Sequence, residues 1–214
     1  MERYGIPDEK VRVVHNGIEP KRAADTVPHV PGETKTVLFL GRITMQKGPG
    51  FFVNAAAKVL AKRPNVRFLM AGWGDLAPHI IGQVAARGLG SKIRFTGFLR
   101  GNEVERAYRM ADVYVMPSVS EPFGLTALEA IQYGVPVILS KNSGAAEVLS
   151  AGALKCDFWD VDEMANKIIA VLGHRELGET LCRCGAAEIR PLTWDLAARR
   201  CLRVYEEQIE TFRN

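Results

Sequence analysis

Five short, nearly unbroken apolar runs, set apart by polar and helix-patterned sequence, constrain this chain more than any other feature. They are Val37-Leu38-Phe39-Leu40, Val66-Arg67-Phe68-Leu69-Met70, Ile93-Arg94-Phe95, Val113-Tyr114-Val115-Met116 and Val137-Ile138-Leu139. A strand that is apolar throughout must be covered on both faces, as in a parallel sheet layered between helices. Between the runs, Phe51, Phe52, Ala55, Ala56, Val59 and Leu60 recur at helical spacing, as do Leu125, Leu128, Glu129 and Ile131. Alternation of such strands with amphipathic helices predicts an α/β fold, a Rossmann-like doubly wound parallel sheet.

The flanks differ in character. Residues 1–35 read as an inter-domain approach segment, in which the run Val11-Arg12-Val13-Val14 leads to His15-Asn16-Gly17 and then to polar sequence broken by Pro20, Pro28 and Pro31. Residues 36–192 form the expected main domain, and residues 193–214 a C-terminal closing helix. Within the main domain, residues 160–172 predict a helix with Asp160 or Asp162 as N-cap. The closing helix is opened by Thr193 behind Pro191.

Composition narrows the function classes. With 214 residues, 47% of them hydrophobic, the chain suffices for one sizeable core. The net charge of +4 is spread among interspersed Lys, Arg, Asp and Glu, which argues against nucleic acid as a partner. No stretch approaches the roughly 18–20 apolar residues of a membrane span, and no signal-peptide core follows Met1-Glu2-Arg3-Tyr4, so a cytoplasmic location is expected. Cys156, Cys182, Cys184 and Cys201 lack zinc-site spacing and read as reduced structural thiols. His15, His29, His79 and His174 have no partner constellation, and none is expected to act as a base.

In open parallel sheets, ligands sit beyond the carboxyl ends of the strands, so chemistry is sought in the loops that follow the runs. Directly after the first run comes Gly41-Arg42-Ile43-Thr44-Met45-Gln46-Lys47-Gly48, whose glycines allow close backbone approach and whose Arg42 and Lys47 are suited to an anion. After the fourth run comes Ser118-Val119-Ser120-Glu121-Pro122-Phe123-Gly124-Leu125-Thr126. There Pro122, Phe123 and Gly124 lead into a helix whose first free amides and positive dipole end suit a phosphate. Glu121 sits just outside that helix and Glu129 roughly 7 Å inside it. Carboxylates so placed are strong acceptors for sugar and ribose hydroxyls.

These segments carry a family resemblance. Glu121-Pro122-Phe123-Gly124 followed by Glu129 resembles the two-glutamate signature, with seven residues between, of retaining glycosyltransferase family 4. Gly41-Arg42 with Lys47-Gly48 is similar to the family's phosphate loop, and Phe95-Thr96-Gly97-Phe98 to the loop that borders the nucleotide base. Asn16-Gly17-Ile18-Glu19 resembles the turn leading into the C-terminal domain, with Glu19 where an aspartate is usual, and Trp194 and Tyr205 resemble the final helix.

The resemblance implies the C-terminal, donor-binding half of a GT-B architecture, transferring a sugar from a nucleotide-diphospho-sugar to a carbohydrate or lipid-linked acceptor. It implies catalytic roles for Glu121, Arg42 and Lys47. Glu121 would hold the donor sugar, and Arg42 and Lys47 would neutralise the diphosphate. Gly41, Phe98, Phe123, Gly124, Leu125, Thr126 and Glu129 would bind the donor, with Glu129 on the ribose hydroxyls and Phe98 beside the base. No metal and no cofactor are expected. The implied partner is an N-terminal acceptor domain, in the same or another chain, that could bring peripheral membrane contact. Without it, transfer is expected to be negligible. The alternative is a non-catalytic module that binds a sugar nucleotide or a protein.

Three other patterns are weighed. Asp160-Val161-Asp162 matches an aspartate pair that holds metal in another transferase class, yet its place at a helix start favours capping. Ala71-Gly72-Trp73-Gly74-Asp75 lacks the third glycine of a dinucleotide fingerprint. Ser143-Gly144-Ala145-Ala146-Glu147 has alanine where many relatives have a second glycine, and it is left out of the expected site.

Overall fold

The computed structural model describes residues 5–20 and 34–213. The first four residues, together with Pro28, His29 and Pro31, lie outside the described residues. Two compact units are present, one of residues 21–189 and one joining residues 1–20 to 190–214.

In the larger unit, strands and helices alternate along the chain. They are β1 (Lys35–Leu40), α1 (Pro49–Lys62), β2 (Val66–Ala71), α2 (Ala77–Ala86), β3 (Ile93–Gly97), α3 (Asn102–Arg109), β4 (Val113–Met116), α4 (Leu125–Gln132), β5 (Val137–Ser140), α5 (Ala145–Val148), β6 (Ala153–Cys156), α6 (Val161–Gly173) and α7 (Arg175–Ile189). The strands form one sheet in the order β3-β2-β1-β4-β5-β6, and every pairing is parallel. The expected Rossmann-like doubly wound sheet is thus present.

Burial on both faces explains the unbroken apolar runs. In β1, Val37 and Phe39 join the core built with Phe52, Val59, Phe68 and Ile168, while Leu38, pointing to the opposite face, is also fully buried. Phe52 of α1 is tilted against Phe39 with ring centroids 5.5 Å apart and meets Phe68 edge-on at 5.6 Å. All residues of β4 and β5 are buried.

The sixth strand was not among the runs anticipated from sequence. Ala153-Leu154-Lys155-Cys156 is short, half-exposed at its two middle positions and pairs on one side only, so it carries no continuous apolar signal. Helix α7 was not singled out either, because its glycines disguise it. Gly185 lies against Ile131 of α4, where an added Cβ would meet the Ile131 side chain at 3.0 Å, so the absent side chain lets α7 come close.

Asp160 caps α6, its carboxylate accepting from the Glu163 amide at 2.8 Å. Asp162 instead pairs with Lys58 of α1 at 2.6 Å. Of the two aspartates offered as N-cap, Asp160 is the one that caps, and Asp162 makes an exposed ion pair instead. Asp160→Ala is predicted to lower stability by about 1 kcal/mol. Urea denaturation checks this, and an unchanged midpoint would remove the cap from the account.

In the smaller unit, α8 (Trp194–Arg213) is opened by Thr193, whose hydroxyl accepts from the Leu196 amide at 3.2 Å. The Asn16-Gly17 turn is backed onto this start, with Ile18 N donating to Leu192 O at 2.9 Å. An added Cβ at Gly17 would fall 2.2 Å from the Trp194 nitrogen, so only glycine fits. All four cysteines are free thiols, and burial pushes Cys156 and Cys182 up to about 11. Among the described residues no helix is long and apolar enough to cross a membrane.

Candidate functional site

The strand order reverses between β1 and β4, which pair at the middle of the sheet. Beyond the carboxyl ends of two such strands the loops diverge to opposite sides, and a crevice opens between them. The two loops singled out from sequence are those that follow β1 and β4, so the topology brings them together. An added Cβ at Gly48, where φ is +66°, would lie 2.1 Å from Pro117 O, and Val119 N donates to Gln46 O at 2.9 Å.

The β1 loop is held on its other flank by the loop after β2. Ile43 N donates to Trp73 O at 3.1 Å and Leu76 N to Ile43 O at 3.0 Å. An added Cβ at Gly72 would sit 1.9 Å from Gly41 O, and one at Gly74 would sit 2.4 Å from Ile43 O. The glycines that faintly suggested a dinucleotide loop are thus explained by packing of one loop on another.

After β4, Phe123 is buried and anchors the chain as it turns into α4. Gly124 occupies the N-cap with φ +105°, and no side chain caps the helix. A helix so begun leaves its first amides, here those of Leu125 and Thr126, available to an anion and adds a positive dipole end. Across from it Lys47 forms an ion pair with Glu121, whose side chain is only 9% exposed. Gly41, Lys47, Ser118, Glu121 and Thr126 line one small depression, floored by Leu40, Tyr114 and Met116. The Ser118 hydroxyl is buried there without a protein partner.

Glu129 lies on α4 and is half-buried. Its Oε2 accepts from the Tyr108 hydroxyl at 2.8 Å, and the same hydroxyl lies 3.1 Å from Thr126 O. Tyr114, from β4, donates to Thr126 Oγ1 at 2.7 Å. Both phenols are pushed above their ordinary range, first of all by burial, so they stay protonated as donors.

Arg42 is placed differently from Lys47. It is exposed, donates to Gln46 Oε1 at 3.3 Å, and lines an adjoining slot with Gly41, Gly72, Trp73, Phe98 and Leu99. Phe98 is exposed there, with the Arg100 guanidinium 5.4 Å from its ring centroid. Gly41 belongs to both hollows. The two cations therefore occupy neighbouring compartments rather than a single pocket.

Sequence reading omitted several groups that the fold places here. Ser118 and Tyr114 sit in or beside segments already singled out, but Tyr108 comes from α3, and no local pattern marks it. The loop after β5 was set aside as well, yet it meets the site, since Gly144 N donates to Glu121 O at 3.0 Å and an added Cβ at Gly144 would lie 2.3 Å from Pro122 O. Ala145 is buried, and its Cβ is 3.4 Å from where a Gly124 side chain would begin. Among the described residues no three His, Cys, Asp or Glu converge as a metal-ligand group.

Comparison with known proteins agrees with this geometry. Residues 21–186 match the family model described as glycosyl transferases group 1. An uncharacterized glycosyltransferase of Methanocaldococcus jannaschii is 30% identical over 97% of this chain and 56% of its own length. The phosphatidyl-myo-inositol mannosyltransferase of Mycobacterium tuberculosis is 35% identical over 82% of this chain and 48% of its own. A crystal structure of the C-terminal domain of a group 1 family glycosyltransferase from Francisella tularensis superimposes with a TM-score of 0.65. It is 26% identical and covers 87% of this chain and 95% of that domain. The chain spans about half the length of the curated relatives it matches, 56%, 50% and 53% of the first three. A match that runs through both loops of the crevice and nearly the whole parallel sheet places the chain among the group 1 glycosyltransferases.

Proposed function

We propose that this chain is the donor-binding half of a retaining, family 4 glycosyltransferase, and that the crevice between the β1 and β4 loops receives a nucleotide-diphospho-sugar. The observation that supports it best is the meeting of a lysine, a glutamate and an uncapped helix start at the point where the strand order reverses. The names of its relatives, a phosphatidyl-myo-inositol mannosyltransferase and a 2-deoxystreptamine N-acetyl-D-glucosaminyltransferase among them, fit a sugar-transferring role with varied acceptors.

The chemistry follows from charge. As the bond between the sugar carbon and the diphosphate oxygen breaks, negative charge grows on the leaving group. Lys47 and the amides of Gly124, Leu125 and Thr126 stabilise that charge from one side and Arg42 from the adjoining slot, with no metal required. Glu121 holds the donor sugar near its reactive carbon. Glu129 takes the ribose hydroxyls, and the slot of Gly41, Trp73 and Phe98 takes the base. Transfer to a carbohydrate or lipid-linked acceptor is completed by an N-terminal acceptor domain. The setting is the cytoplasm.

Titration calorimetry with UDP, GDP and ADP tests the reading. One of the three should bind, and Lys47→Ala should weaken it by at least about tenfold, since a charge-assisted contact to phosphate contributes about 1.5–3 kcal/mol. The variant also leaves the Glu121 carboxylate unpaired beside the phosphate. Equal weak binding by both proteins would sink the site.

A further inference from the structure

We infer that Tyr108 is a positioning residue that orients Glu129 toward the ribose, and that it sets how strongly this site prefers a ribonucleotide to one lacking its vicinal hydroxyls. The inference rests on the donor reading given above and deepens it, because that reading assigns nothing to α3.

Glu129 has two carboxylate oxygens and one fixed neighbour. Tyr108 is 0% exposed, and its hydroxyl reaches Glu129 Oε2 at 2.8 Å. Its ring is stacked on Tyr133, with centroids 5.2 Å apart, and tilted against Tyr114 at 6.1 Å, so the donor cannot swing away. The hydroxyl has one proton and two acceptors in reach, Glu129 Oε2 and, at 3.1 Å, Thr126 O. A carboxylate is the stronger acceptor and the nearer one, so the proton goes to Glu129. Burial raises this phenol, which keeps the proton on it across the ordinary pH range.

The consequence is pre-organisation. A half-exposed glutamate on a helix surface samples several rotamers, and each hydroxyl it binds must first freeze them. Here one oxygen is already committed to a buried phenol, and in the donor reading the other, Oε1, is the one that meets the ribose. The phenol binds the carboxylate without neutralising it, so Oε1 remains a charged acceptor for a diol. Removing the phenolic oxygen leaves the charge of Glu129 in place and removes only its orientation, and a loss confined to recognition of the ribose hydroxyls is the signature of that role.

The experiment uses the 214-residue chain, the tightest binder among UDP, GDP and ADP, and the 2′,3′-dideoxy counterpart of that nucleotide. Calorimetry gives the ratio of the two affinities for the unaltered chain, Tyr108→Phe, Glu129→Gln and the double variant. In the unaltered chain the ratio should be about tenfold or more, the scale of charge-assisted bonds to a diol. In Tyr108→Phe it should fall by roughly fivefold, with the dideoxy affinity unchanged, and the double variant should fall no further than Glu129→Gln alone, as coupled residues do. Tyr108→Phe keeps the ring packing. Should it fail to fold, Tyr108→Met serves in its place: it fills much of the ring's space without the hydroxyl and leaves Glu129 unaltered, and the same drop is expected.

The outcomes separate cleanly. A variant that keeps the full ratio overturns the role of Tyr108 and leaves the donor site standing. An unaltered chain that binds the nucleotide yet does not favour it over the dideoxy form overturns both the role of Tyr108 and the assignment of Glu129 to ribose. No binding of any of the three nucleotides removes the donor reading itself, and the inference with it.

Discussion

Gly72→Ala is expected to lower stability by about 3–5 kcal/mol, enough to leave much of the chain unfolded at ambient temperature. Two causes add. The residue has φ +135°, a conformation that side-chain-bearing residues avoid, and an added Cβ would stand 1.9 Å from the Gly41 carbonyl oxygen, which is backbone and cannot rotate away. Relief requires the loops after β1 and β2 to part, and that breaks the Gly41 N to Ala71 O bond of 2.9 Å. Gly82, inside α2, is the matched control, because nothing lies within 4 Å of its added Cβ. There alanine should stabilise by about 0.5–1 kcal/mol. Urea midpoints for the two variants decide the matter, and a Gly72→Ala protein as stable as the unaltered chain would mean that the two loops are not in contact.

Glu121→Gln should produce effects of opposite sign on two ligands. Without a nucleotide, Lys47 is neutralised by Glu121, so a diphosphate entering the crevice must take the lysine from its present partner. An amide in place of the carboxylate removes that competition and a nearby negative charge, and affinity for the bare nucleoside diphosphate should rise by about three- to tenfold. In the proposed role of Glu121, the sugar-bearing donor loses the acceptor that holds its hydroxyls. Transfer, measured once the acceptor half is supplied, should fall by roughly 100-fold or more, the scale seen when one preorganised group at the reacting centre is removed. Weaker binding of the bare diphosphate would show that the ion pair supports the phosphate site instead of competing with it.

How much of this was legible in the chain differs by residue. Strands β1 to β5 and helices α1, α4, α6 and α8 were readable because each signals through its own periodicity or cap: Phe39 and Val115 through runs apolar on both faces, Asp160 and Thr193 through placement just ahead of an amphipathic turn. Strand β6 was hidden by its brevity and by Lys155, which interrupts an already short apolar run. The two loops were readable because strand-end glycines and charges are adjacent in sequence. Tyr108 was not, since its bond to Glu129 spans 21 positions and exists only after α3 and α4 have packed. The role of Gly72 and Gly74 was misleading in isolation, for the carbonyls that require them come from the preceding loop. The division of Arg42 from Lys47 was also beyond sequence, because which way each side chain leaves the loop is settled by Gln46 and Glu121.

That Gly41 stands between the two hollows has an evolutionary corollary. The wall they share is Leu40 and Gly41 alone, so exchange of the other residues lining one chamber sends little steric disturbance into the other. If that slot takes the base as proposed, mutational drift at Trp73, Phe98 and Leu99 can retune which base is accepted while the lysine, serine and glutamate on the far side stay as they are. One scaffold can thereby diversify its two selectivities one at a time.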